Sequence, residues 1–249
     1  ILNIILDLFF IITLGWGVAG AGIATVVSQG VSALLCYLYM YRKFDILKTE
    51  PSDRIFRKKL ASQLLAIGVP MGLQFSITAI GSIMLQSANN ALGTACVAAF
   101  TAAMRIKMFV MCPLDAMAMA TYSGQNYGAG KPERIWMGVK SATLMMVVYC
   151  VAIAVIMWGL ADKFALLFIS PDETEIMKDT VLFLHINTSS FVLLGSLSIF
   201  RYSIQGVGYT RLSMFSGVSE MIARVLVSLF LVPAFKFLGV CMGDPTAWL

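Results

Sequence analysis

Apolar runs of bilayer length alternate along this chain with short polar or glycine-rich breaks. Set against Gly, Pro and charge punctuation, the pattern predicts segment a up to about Leu14, b from Val18 to Tyr41, c from Leu64 to Leu92, and d from Ala95 to Tyr122. Segments e (Val139 to Leu160), f (Thr180 to Gln205) and g (Leu212 to Leu238) follow, and a last one begins near Thr246. A helix needs roughly 20 apolar residues to cross the hydrocarbon core, and several of these runs reach that length. Sheets with open edges cannot satisfy their backbone groups in lipid, so the expected fold is all-α, a polytopic transmembrane helical bundle.

The polar breaks are not equivalent. Arg42, Lys43, Lys48, Arg54, Arg57, Lys58 and Lys59 fall between b and c, Lys131 and Arg134 between d and e, and Arg211 between f and g. The alternate breaks are short, as at Gly15 to Gly17 and at Gly93 and Thr94, or acidic. From Asp162 to Asp179, five carboxylates face only Lys163 and Lys178. The positive-inside rule therefore places the basic loops in the cytoplasm. Residues 42–63 read as a cytoplasmic linker, or as an ordinary polar loop, between a pair of helices (1–41) and a larger bundle (64–249).

Composition agrees: 59% of the 249 residues are hydrophobic and 12% charged, about half the charge of a soluble domain. The net charge of +5 is accounted for by these loops and gives no reason to expect nucleic acid as a partner. Cys36, Cys96, Cys112, Cys150 and Cys241 are scattered without a CxxC pair, and His185 is the single histidine, so no disulfide framework or multi-histidine metal site is expected. The chain opens inside an apolar run at Ile1, without a charged leader, which reads as a cut amino terminus. Gln125 to Gly130 lacks the GK[ST] ending of a phosphate loop and follows an apolar helix, so nucleotide binding is not expected. No paired carboxylates with histidine and no nucleophile elbow suggest an enzyme.

A faint internal echo points to a repeat. Gly15-Trp16-Gly17-Val18-Ala19-Gly20-Ala21 is matched by Phe237-Leu238-Gly239-Val240-Cys241-Met242-Gly243 at an offset of 222 residues, each stretch following an aromatic-rich apolar helix. Under the loop-charge topology both helices run the same way, as parallel repeats of transporter halves would. Such a repeat implies four further helices ahead of Ile1 and most of one after Leu249.

Polar groups inside spans are costly and mark the places to search for function. Asn3 and Asp7 lie four apart on one face of segment a, and Thr25 on b can approach that face across the tight turn. A carboxylate, an amide oxygen and a hydroxyl are hard ligands suited to a proton or a small cation; interhelical hydrogen bonding is the alternative. Arg105 and Lys107 fall near the middle of d, to point into a cavity or to pair with Asp115 or a neighbouring helix, and Pro113 is expected to bend that helix. On c, Gln74, Thr78 and Gln86 are candidates for a shared cavity face, with interhelical bonding as the alternative. His185 and Asn187 stand in f, the histidine as a hydrogen-bonded surface group or a proton relay. Glu220 and Arg224 are spaced for an intrahelical ion pair with Arg201 as a third member. The sixteen methionines suit core filling or an adaptable binding surface.

The run Asn3-Ile-Ile-Leu-Asp7-Leu-Phe-Phe-Ile, followed by Gly17-Val-Ala-Gly-Ala-Gly-Ile-Ala-Thr25, resembles the fifth and sixth helices of multidrug and toxin extrusion (MATE) transporters. Gly68-Val-Pro-Met-Gly-Leu resembles the opening of their seventh helix, and Gln125-Asn-Tyr-Gly-Ala-Gly-Lys131 the close of their eighth. The resemblance covers nearly the whole chain, from the fifth helix to the start of the twelfth, as part of a two-lobe transporter. It implies a monomeric multi-pass protein of the bacterial plasma membrane, exporting amphipathic organic cations or drugs in exchange for H+ or Na+. Asn3, Asp7 and Thr25 take the positions of the family's cation-coupling site, with Na+ or a proton at Asp7, an aspartate of the first helix completing it, and no further cofactor. Sodium-coupled relatives also carry a Glu in the seventh helix and an Asp in the tenth; Thr78 and Leu194 stand there, so the carboxyl-lobe sodium site is expected to be absent. Flippases for lipid-linked sugars belong to the same superfamily and are the alternative, for which Arg105 and Lys107 would supply a cationic cavity.

Overall fold

The computed structural model describes residues 1–45, 55–117 and 119–249, and every described element is helical. The middle of the expected linker, including Lys48, Pro51 and Arg54, lies outside the described residues. Two compact units result, Ile1–Lys58 and Lys59–Leu249.

The first unit is a helical hairpin. Helix α1 (Leu2–Leu8) runs on through a π-helical turn (Phe9–Thr13), and α2 (Gly17–Lys43) returns. Gly15 and Gly17 make the reversal at φ of +67° and +51°, a left-handed conformation that side chains resist. The turn is pinned by Phe10 and Trp16, whose rings stack at 5.2 Å.

In the second unit α3 (Lys58–Asn90) starts six residues before the expected Leu64, since Lys59 to Gln63 hold no helix breaker. Segment d is divided: α4 (Thr94–Ala116) ends within a turn of Pro113, and α5 (Ala120–Gly128) resumes after it. Pro113 removes one backbone donor and crowds the turn before it, so it does not account for the end of α4 at Ala116. Segment e is the long α6 (Pro132–Ala165), with Pro132 at its first position, where a missing N–H is harmless. Segment f is also divided, into α7 (Thr174–Ser189) and α8 (Phe191–Gly206), which meet at a 47° bend. At that break the hydroxyl of Ser190 bonds back to the carbonyl of Ile186 at 2.9 Å, the kind of local competition that bends helices.

Segment g comprises α9 (Thr210–Leu226), a second π-helical turn (Val227–Leu231) and α10 (Val232–Phe235). It stops at Lys236, which takes φ of +52°. Helix α11 (Phe237–Cys241) and then α12 (Gly243–Ala247) follow, so the last segment begins at Gly243 and not near Thr246. Among the described residues five helices are long and apolar enough to cross a membrane, or six if α7 and α8 form one broken span. The protein is therefore an all-α, multi-pass membrane protein.

The core of this unit is filled largely by α4, α6, α7 and α8, with Phe183, Phe191, Met146 and Met157 among its largest fully buried side chains. Helices α5 and α8 approach most closely at Gly206, where an added methyl would overlap the carbonyl of Ala120. Because the obstacle is backbone, it cannot rotate away. Gly206→Ala is expected to lower stability by about 1–3 kcal/mol, read as a fall in the thermal unfolding midpoint in detergent.

Candidate functional site

The hairpin brings two of its three candidate residues into contact. The side-chain amide of Asn3 donates to the Thr25 hydroxyl at 3.4 Å, and that hydroxyl donates onward to the Ala21 carbonyl at 2.9 Å. Asp7 is half-buried one helical turn from Asn3 and bonds to neither. Its Oδ1 is buried and without a hydrogen-bond partner among the described residues. A carboxylate oxygen hidden from solvent and left unpaired is costly unless a proton or cation meets it. The local chemistry is thus one acidic oxygen without a partner beside an amide and a hydroxyl already joined across the hairpin.

The other candidates all lie in the second unit and are not gathered at one place. Gln74 is buried and accepts at Oε1 from the Gln205 amide and from the Ser213 hydroxyl, both at 2.7 Å; the same amide reaches Ser213 Oγ at 2.6 Å. This ties α3, α8 and α9 together, so Gln74 is spent on interhelical bonding. Thr78, one turn on, has a buried hydroxyl without a hydrogen-bond partner among the described residues, and Gly217 of α9 leaves the room for both residues to approach. Gln86 faces elsewhere, donating to Asn90 on its own helix at 2.8 Å. Arg105 and Asp115 are exposed on α4.

Lys107 is buried and paired with a residue that spacing did not single out, Asp244 at the start of α12. Arg224 also meets Asp244, Nε to Oδ1 at 3.1 Å, and reaches Glu220 at 3.5 Å; Arg201 pairs with Glu220 and donates to Ser216 at 2.8 Å. The anticipated group of Glu220, Arg224 and Arg201 is therefore extended by two more charges into a buried chain across α4, α8, α9 and α12. Lys107 also lies over the rings of Trp248 and Phe183, at 5.3 and 5.7 Å from their centroids. His185 is half-buried, stacked on Trp158 at 4.5 Å, with Nε2 3.2 Å from the Met157 carbonyl.

Membrane-length helices, a broken span and charge kept in the interior define a polytopic membrane protein. Residues 70–230 match the MatE family model, and the chain belongs to that family. It is 23% identical over 243 residues to "Probable multidrug resistance protein YoeA" of Bacillus subtilis (strain 168), covering 93% of this chain and 51% of that protein. It is 30% identical over 137 residues to "Probable multidrug resistance protein YpnP" of the same organism, covering 54% of this chain and 30% of that one. Among solved structures, an outward-facing multidrug resistance MATE family transporter of the MOP superfamily superposes with a TM-score of 0.89 at 26% identity, over 99% of this chain and 56% of that one. The chain thus spans about half, or less, of the length of these relatives.

Proposed function

We propose that the whole protein is a secondary active exporter of amphipathic organic cations or drugs, driven by inward movement of H+ or Na+ across the cell membrane. The coupling ion binds at Asp7, with Asn3 and Thr25 beside it, and the protein works as a monomer. Membership of the MatE family and likeness to proteins described as multidrug resistance proteins support the transport class. The observation that carries the coupling role is the unpaired, buried carboxylate oxygen of Asp7. When the ion arrives it neutralises a charge that the membrane interior otherwise disfavours, and when it leaves that charge must be met in another way. Ion and substrate then favour opposite conformations, which is all that exchange requires.

The flippase alternative calls for a cationic cavity able to hold phosphate, formed by Arg105 and Lys107. Lys107 is buried against Asp244, so no specific observation favours that reading.

The test is dye export by the full-length protein in liposomes, using ethidium as substrate, under an imposed pH gradient, an imposed sodium gradient, or neither. Accumulation against the dye's own gradient is expected under one ion gradient and not without it. Equal movement in all three conditions would remove the exporter reading.

A further inference from the structure

A cavity of ≈ 670 Å³ lies between α4 and α6 of the second unit, within the size range of small-molecule sites, roughly 300–1,000 Å³. Its wall is apolar, with Phe109, Ile153, Phe164 and Phe168 prominent, and carries one charge, Arg105. The other polar groups of the wall are already engaged. The Tyr149 hydroxyl donates to the Val110 carbonyl at 2.6 Å, and the Cys112 thiol to the Met108 carbonyl at 3.4 Å.

Arg105 itself makes no ion pair or hydrogen bond among the described residues. It stands eleven residues into α4, about 16 Å along a helix long and apolar enough to cross a membrane. A guanidinium at that depth without a counter-charge is disfavoured and keeps its charge at any ordinary pH. The rim is apolar: Phe109 is 79% exposed and Leu167 73%.

We propose that this cavity binds a single-chain amphipathic anion drawn from the bilayer, a long-chain carboxylate, with its head on Arg105 and its chain along the aromatic wall. A planar guanidinium matches a carboxylate through two parallel hydrogen bonds, and the cavity offers one cation, which suits a monoanion and not a diphosphate. Asp115, the other exposed charge on α4, does not line the cavity and leaves the local charge positive. The site is built from residues of the second unit alone and does not depend on the export reading.

The test uses the full-length protein in nanodiscs of zwitterionic lipid and three twelve-carbon probes carrying the same diazirine: a carboxylate, an alcohol and a trimethylammonium. After irradiation, adducts are mapped by tandem mass spectrometry. The carboxylate is expected to label peptides holding Phe109, Cys112 and Ile153 about tenfold more than either other probe, the scale of one charge-assisted contact. Arg105→Gln should erase that preference and Arg105→Lys should keep part of it. Neither variant should unfold below the wild-type temperature, since Arg105 makes no ion pair or hydrogen bond among the described residues that its loss could break. Equal labelling by the three probes, labelling outside the cavity, or a preference that survives Arg105→Gln would overturn the proposal. Asp7→Asn should leave the labelling unchanged, so a failure of the coupling reading and a failure of this one are separate results.

Discussion

Asp244→Asn is expected to lower the stability of the full-length protein by about 3 kcal/mol or more, the largest single loss among the interior charges. Asp244 is the one acid that Lys107 and Arg224 share, with all three side chains at least 90% buried. The chain of charges runs Lys107, Asp244, Arg224, Glu220 and Arg201, so three cations meet two carboxylates. An asparagine leaves Glu220 alone to balance three positive groups, and Lys107 then has only the faces of Phe183 and Trp248 as favourable surroundings. Cation–π attraction, of order 1–2 kcal/mol, does not replace a buried ion pair. The measurement is the thermal unfolding midpoint in detergent for Asp244→Asn, Lys107→Met and the double variant. The double variant should be more stable than Asp244→Asn alone, because it removes the stranded cation together with its partner. Strictly additive losses would show that the two charges do not depend on each other.

That chain of charges also marks how far sequence reasoning reaches. Glu220 and Arg224 were legible because four residues on a helix place side chains on one face, and Arg201 because a cation within an apolar segment needs an acid nearby. Asp244 was not, for two physical reasons. The last segment was expected to begin near Thr246, which leaves Asp244 in a connecting turn where a carboxylate is unremarkable. Its partner Lys107 is 137 residues away, a pairing created by packing and absent from any local pattern. Gln205 and Ser213, which complete the bonds around Gln74, were hidden in the same way across the turn between α8 and α9.

The spans themselves were readable because membrane length and apolar content leave few alternatives, but their interruptions were only partly so. Pro113, expected to bend its helix, lies inside α4, which continues to Ala116. The bend at Ser190 carries no proline and follows from serine and threonine hydroxyls returning to backbone carbonyls, a choice that the surrounding packing decides. The hairpin turn at Gly15 and Gly17 was legible for the opposite reason, since positive φ at both positions leaves little room for other residues. Of the three candidate ligands in that hairpin, spacing placed Asn3 and Thr25 in reach of each other, and their hydrogen bond spans 22 residues. Whether Asp7 would join them is a matter of rotamer, which no periodicity encodes.

Asp7→Asn is expected to abolish ion-driven export while leaving the folded protein and its affinity for ethidium nearly unchanged. The substitution keeps the shape of the side chain, so packing of the hairpin should survive. It removes both properties that coupling requires, a site that can take and release a proton and a negative charge that can hold a cation. Asp7→Glu keeps both but moves the carboxylate by one methylene, and should retain a reduced, still gradient-dependent rate. Thr25→Val and Asn3→Ala act differently. They take away the hydrogen bond that joins the two helices of the hairpin, and losses in apparent ion affinity of about 10- to 100-fold are the scale expected if these groups support the proposed ion site. Raising the driving ion should therefore restore Thr25→Val and Asn3→Ala towards the wild-type rate and should not restore Asp7→Asn. A rate for Asp7→Asn that still follows the ion gradient would place coupling elsewhere in the protein. An Asp7→Asn protein that no longer binds ethidium would instead make the carboxylate part of the substrate's own site.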